Sequence, residues 1–393
     1  MANLLVLTPR YPYPLIGGDR LRIHTICREL AKNHRLTLLS LCETREEMTA
    51  EPPDGVFATV ERVYLPKWKS MANTLAALPS RTPLQIAYYR SAAFRSAVER
   101  LAPGHDAVLA HLVRTAEYAV AFPGPKILEM TDAISLNYSR VQQTGSRSLR
   151  RLIYMVEQSR LERYERAIAD KFDLSVLVSE IDRKFLFGDS PGRLERTLVC
   201  SIGVDWAKLP FTANRAGTVI AFVGNMTTLQ NLDAARRFAT DVLPLIAQRV
   251  SGATFRVVGR INDAGRRALA LPGVEVTGEV DTIAAAVRDA AIAVCPMRFG
   301  AGIQTKVLEY MALGLPTVIT PIGLEGLGAV PDRDVVVADG AEASAEAVVA
   351  LLRAPLHRES LAIAARRYVE DHHGWDASLR ALSTRVVTLL GTH

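Results

Sequence analysis

Apolar and polar positions alternate along the chain in two series of blocks. In the first, short aliphatic runs, NLLVLT (3–8), LTLLSL (36–41), AVLAH (107–111), KILEM (126–130) and LSVLVS (174–179), are separated by stretches with helical spacing. A polar, glycine-containing stretch after Ile202-Gly203-Val204-Asp205 interrupts the rhythm. It restarts with TVIAFVG (218–224), TFRVVGR (254–260), VEVTG (274–278), AIAVCPM (291–297), TVITP (317–321) and VVVAD (335–339). Strand-like runs alternating with helices predict a parallel sheet wrapped by helices. The restart predicts two such sheets, hence an α/β chain of two doubly wound, Rossmann-like domains, residues 1–205 and 217–375, joined by a linker at 206–216. Ligands of these sheets bind outside the carboxyl ends of the strands, so the loops after the runs are where chemistry is sought. The segment 148–170 carries a helical apolar stripe opposite a charged face, with Glu162 and Arg166 at the supportive i, i+4 spacing. Arg140, Arg147, Arg150 and Arg151 gather at its start, as a solvated face or as a contact for anionic lipid or an anionic acceptor.

Composition narrows the classes. A chain of 393 residues, 49% hydrophobic and 22% charged, exceeds one ordinary core and is too apolar for disorder. The start, MANLLVLTPRYPYP, lacks the basic region and long apolar segment of a secretory signal, and no run reaches the roughly 18 to 20 uncharged residues of a membrane span. The expectation is a cytoplasmic protein, free or peripheral on the inner face of the membrane. Cys27, Cys42, Cys200 and Cys295 form no CxxC pair and are expected as reduced core thiols. A net charge of +6 suits an anionic partner. No arginine-rich tail, zinc finger or aromatic-interleaved RNA motif is present, so nucleic acid is not the expected one.

Several loops carry candidate chemistry. Gly17-Gly18 follows the first run and precedes an amphipathic helix, where glycines admit a close ligand and the helix start attracts an anion; a plain turn uses the same residues. His111 ends AVLAH, next to Arg114, and reads as structural or as catalytic. Asp132 stands one unit later, as a ligand-facing carboxylate or as a helix N-cap. In the second domain Gly224 opens a polar loop without Lys or Arg, leading to a helix beginning near Asn231 or Leu232. Arg260 ends the next run, facing either ligand or solvent.

The most specific stretch is RFGAGIQTKVLEYMALG (298–314). A run ends, Gly300 and Gly302 lie at a helix entrance, and backbone N–H groups there can hold a diphosphate with Lys306 and Arg298 as charge partners. Glu309 can accept both hydroxyls of a ribose. A salt bridge to Lys306 or Arg298 is the alternative use of that carboxylate. The following loop adds Gly323, Glu325 and Gly326.

Gly17-Gly18, His111, Ile202-Gly203-Val204-Asp205, Gly224 and the helix from Lys306 to Pro316 together resemble the retaining, nucleotide-sugar-dependent glycosyltransferases of family 4, with the GT-B fold. The resemblance implies two Rossmann-like domains facing across a cleft, with a UDP- or GDP-sugar on the second. The acceptor, a glycan, glycolipid or other hydroxyl, lies mainly on the first. It also implies a carboxyl-terminal helix, 376–393, that returns to the first domain. On this pattern Glu309 binds the donor ribose and the backbone of Gly302, Ile303 and Gln304 the diphosphate. Gly18 borders the phosphates or sugar, and His111 lies by the transferred sugar. Arg10, Gly17 and Asp132 fall on the acceptor side. Two departures stand out: the earlier glutamate of many members is Ala301 here, and the usual Arg and Lys after Gly224 are replaced by Asn225 to Gln230. A subgroup associated with bacterial exopolysaccharide clusters shares both, with a lysine where Lys306 stands. Lys306, Arg298, Arg10 or Arg260 is then left to supply the charge. The expected enzyme is retaining, uses no cofactor and needs no metal. A sugar-nucleotide epimerase or a non-catalytic nucleotide-sugar binding protein are the alternatives.

Overall fold

The computed structural model describes residues 1–15, 18–143, 149–213, 215–299 and 303–391. The chain divides into two units, Met1–Ser201 with Ser378–His393, and Ile202–Ala377. The helix Trp375–Gly391 therefore starts in the second unit and ends in the first.

The first unit holds β1 (Asn3–Thr8), β2 (Arg35–Cys42), β3 (Thr59–Tyr64), β4 (Ala107–His111), β5 (Lys126–Thr131), β6 (Leu174–Leu177) and β7 (Thr197–Val199), all parallel in the order β3-β2-β1-β4-β5-β6-β7. β1 and β4 are buried along nearly their whole length, as strands covered on both faces must be, and they read as unbroken apolar runs. β3 and β7 were not among the predicted runs. Both are edge strands: TVERVY is only half-buried and carries the adjacent charges Glu61 and Arg62 between its two valines, and TLV is only three residues long.

The second unit holds β8 (Val219–Val223), β9 (Thr254–Val258), β10 (Val274–Gly278), β11 (Ile292–Cys295), β12 (Thr317–Ile319) and β13 (Val336–Val337), parallel in the order β10-β9-β8-β11-β12-β13. Along β8, Ile220 and Phe222 enter one apolar core while Ala221 and Val223 enter the other. Five of these six strands end one or two residues before the predicted runs, because the last residues of those runs form the loop at the carboxyl end. The helix after Gly224 is Leu229–Arg237, earlier than the spacing suggested. Residues 206–216, expected as a linker, lie within this unit. The buried Arg215 guanidinium donates to the carbonyls of Thr212, Val287, Arg288 and Leu313 and fastens them there.

In both sheets the strand order reverses beside the first strand, between β1 and β4 and between β8 and β11. A crevice opens there at the carboxyl ends. All four cysteines are buried and unpaired.

Candidate functional site

In the second unit, the reversal point is built from β8, β11 and the helix Thr305–Leu313. This helix is apolar on most sides, with Val307, Leu308, Tyr310, Met311, Ala312 and Leu313 buried. It ends at Gly314, whose φ of 74° is the left-handed conformation glycine tolerates. At its start Gln304 occupies the N-cap position without a side-chain cap, leaving N–H groups available to an anion. Ile303 is buried just before it. Gly300 and Gly302, with Ala301, lie outside the described residues.

Two side chains of this helix tie it to β8. The Tyr310 hydroxyl accepts from Val223 N–H at 2.6 Å. Lys306 Nζ donates to Asn231 Oδ1 at 2.7 Å and sits 4.8 Å from the centroid of the Phe222 ring. Asn231 in turn donates to the Asn225 carbonyl, so Lys306 bears on the polar loop that itself lacks a cation. A Cβ on Gly224 would meet Asn231 at 3.0 Å, so a side chain there would displace the lysine's anchor.

Glu309 lies one turn along, half-buried. It forms no ion pair with Lys306 or Arg298: Arg298 pairs with Asp233 at 3.3 Å, and the lysine is committed to Asn231. Among the described residues its carboxylate has no hydrogen-bond partner. Burial lifts its pKa to about 7, only partly offset by the Lys306 charge, and burial likewise lowers the Lys306 amine. A half-buried carboxylate without a protein partner is poised to accept from a ligand. Gly323 packs against the end of β11, where a Cβ would meet the Cys295 carbonyl at 3.1 Å. Arg260 stands beside the polar loop, its carbonyl accepting from Met226 N–H at 2.7 Å, with its exposed side chain paired with Glu279 at 3.2 Å.

In the first unit, the reversal point carries a network that no local pattern announces. Glu129, fully buried on β5, accepts from Arg22 Nε at 2.7 Å and from His111 Nδ1 at 2.6 Å, and also from Thr131 N–H at 3.1 Å. Arg22 is buried too, and its Nη2 donates to the Cys200 carbonyl at 3.0 Å. Burial opposes the charge on Glu129, but Arg22 and His111 outweigh it and hold the carboxyl at about 2. The carboxylate thereby accepts from the Nδ1 N–H, keeps the proton on that nitrogen and leaves His111 Nε2 without a hydrogen-bond partner among the described residues. Backbone strain accompanies these residues: Leu112, directly after His111, has a φ of 61°, and Thr131 has 67°.

Arg10 pairs with Asp19, in the first turn of the Gly18–Leu30 helix, and His111 and Arg114 add to the positive field that lowers the Asp19 pKa against the opposing effect of burial. Arg10 is therefore a partnered cation. Gly17 lies outside the described residues; Gly18 opens the helix, with empty space where a Cβ would stand.

Asp132 follows β5. It is not the cap of the helix Ile134–Gln143, because Asp182 accepts from Ala133 N–H at 2.9 Å and Glu165 accepts from Ile134 N–H at 2.9 Å. Burial, reinforced by Asp182, raises Asp132 to about 7. Of the basic cluster, Arg147 lies outside the described residues, while Glu162 and Arg166 form their expected pair at 2.7 Å. Asp19, Arg22, Glu129, Asn231 and Tyr310 were not singled out from sequence.

Residues 217–354 match the family model for Glycosyl transferases group 1. That is the segment containing β8 to β13, Lys306 and Glu309. No curated protein sequence matches the chain. Among solved structures, sucrose-phosphate synthase of Thermosynechococcus elongatus superposes with a TM-score of 0.76 at 15% identity, covering 100% of both chains. Anabaena HepE, solved in complex with UDP and glucose, gives 0.70 at 13% identity, over 99% of this chain and 100% of that one. TarM gives 0.68 at 10% identity, over 99% of each. The chain has the GT-B fold.

Proposed function

We propose that the chain is a retaining glycosyltransferase that moves a sugar from a UDP- or GDP-linked donor to an acceptor hydroxyl in glycan, glycolipid or exopolysaccharide assembly. The observation that carries this reading is Glu309: a half-buried carboxylate, raised to about 7 and free of protein partners among the described residues, within the segment that matches the glycosyltransferase model. The HepE structure with UDP supports a uridine diphosphate donor as the first to test.

Glu309 accepts from the donor ribose, and the uncapped start of the Thr305–Leu313 helix with Lys306 holds the diphosphate. The anomeric carbon–oxygen bond breaks with its electron pair going to the diphosphate. The acceptor oxygen bonds to the same face of that carbon and gives its proton to the leaving phosphate. A fixed ammonium on Asn231 and Phe222 stabilises the developing negative charge without rearranging as the bond breaks. Lys306 fills the place left by the missing basic pair after Gly224. The acceptor belongs to the first unit, where His111, oriented by Glu129, serves the sugar being handed over.

Thermal shifts with a panel of UDP- and GDP-sugars test the donor assignment, because selective binding stabilises the folded chain by an amount that grows with the logarithm of ligand over its dissociation constant. The assignment fails if none shifts the melt, or if Glu309→Ala shifts with the same donors to the same extent. The anomeric configuration of the product, followed by NMR, tests retention. Turnover after exhaustive chelation tests metal independence.

A further inference from the structure

The helix Lys67–Ala77 is turned inside out. Its inner side is small or polar: Ser70 and Ala77 are buried, and Asn73 Nδ2 donates to the Arg90 carbonyl at 2.9 Å. Its outer side is apolar: Trp68, Met71 and Leu75 are 73%, 55% and 62% exposed, and Leu78, just beyond the helix, 51%. At about 100° per residue, positions 68, 71, 72, 75 and 76 share one face, which Ala72 and Ala76 complete without a polar atom. Soluble surfaces scatter large apolar side chains singly; here they are aligned.

The charge carried by the helix itself is one-signed. No Asp or Glu occurs on this helix, and the exposed Lys67 and Lys69 stand on opposite flanks of the stripe at its start. Met155 and Val156, 43% and 46% exposed, belong to the Leu149–Ala169 helix, which is tied to the same corner by Arg160 donating to the Leu78 carbonyl at 3.0 Å and by Glu157 accepting from Leu84 N–H at 2.7 Å. Among the described residues no helix is long and apolar enough to cross a membrane.

We propose that the Lys67–Ala77 helix is a docking element for an anionic bilayer, lying in the interface with Trp68, Met71 and Leu75 among the upper acyl carbons and Lys67 and Lys69 at the lipid phosphates. Charge complementarity selects this occupant. An acid-free stripe flanked by lysines matches anionic headgroups and repels a second copy of itself. Trp68 at the end nearest the lysines has the amphipathic ring that favours the headgroup level. The inference concerns a surface outside the donor site and stands without the donor assignment.

The test is flotation of the full chain with vesicles of equimolar phosphatidylcholine and phosphatidylglycerol, against vesicles of phosphatidylcholine alone, with thermal melts confirming that each variant is folded. Wild type should float with the anionic vesicles, less so at high salt, and its tryptophan emission should shift to the blue, a shift lost in Trp68→Phe. Each of Lys67→Ala and Lys69→Ala should weaken partitioning about fivefold. The pair Trp68→Glu with Leu75→Glu should weaken it more than about tenfold. The proposal is overturned if wild type stays unbound, if the glutamate pair floats like wild type, or if sizing shows a dimer that Leu75→Glu dissolves while vesicles go unbound. Thermal shifts with UDP on the same variants should match wild type; loss of UDP binding in all of them, wild type included, removes the donor assignment and leaves this one standing.

Discussion

Replacing Glu129 with glutamine isolates one charge in the interior of the first unit. Glutamine keeps the shape, and its amide can still accept from Arg22 and donate to a neutral His111, so the hydrogen bonds can be rewired while the negative charge is lost. The cost follows from the carboxyl held at about 2 against an ordinary 4.5. That gap corresponds to about 3 kcal/mol of stability at neutral pH. Removing one member of a buried ion pair costs about 3 to 5 kcal/mol on independent grounds, because Arg22 is left uncompensated. Burial is complete on both sides, so no discount for solvent applies. The sign is that of a depressed carboxyl: the stabilisation is fully present above about 4.5 and is lost as pH falls toward about 2. Because two units unfold in one chain, a single melting temperature does not isolate the opening of the first unit. Amide hydrogen exchange of β4 and β5 reports the opening free energy of the unit directly. Glu129→Gln should lower it by about 3 kcal/mol at neutral pH and by progressively less below about 4.5, and Arg22→Met added to it should restore part of the loss. Unchanged protection of β4 and β5 at neutral pH would refute the reasoning.

Other expectations concern the second unit. Lys306→Met should weaken binding of UDP about 10- to 100-fold while leaving uridine, which has no phosphate, nearly unaffected by calorimetry; equal losses for both would mean that the lysine does not hold the diphosphate. Because Glu309 must be ionised to accept two hydroxyls and titrates at about 7, affinity for a UDP-sugar should rise as pH climbs through that value. The dependence should disappear in Glu309→Gln. Gly224→Ala places a methyl 3.0 Å from Asn231 and should loosen the Lys306 anchor, weakening UDP several-fold at a stability cost of about 1 kcal/mol; binding equal to wild type would mean the anchor is dispensable.

What the sequence reveals here depends on whether a residue's meaning is local. The central strands are unbroken apolar runs because both faces are covered, and such runs are visible without a partner. β3 is not, since its half-exposed edge position turns the pattern into TVERVY. Lys306 and Glu309 stand out because a charge on an otherwise apolar helix demands a reason within the helix itself. Glu129 sits in KILEM in the same way, yet it passes as the variable residue of a strand, because its reason lies elsewhere: Arg22 is 107 positions away, on a helix whose charges look solvated. Asn231 and Tyr310 are silent for the same cause, 75 and 87 positions from the groups they hold. The Lys67–Ala77 helix shows the complementary difficulty. Its period marks an apolar face, but period carries no sign, and the expectation that an apolar face is an inner one comes from the base behaviour of soluble helices. Only the burial of Ser70 and Ala77 reverses it. A pattern fixes which residues share a side; which medium that side meets is decided by the rest of the chain, and here the stripe and its lysines point away from the core.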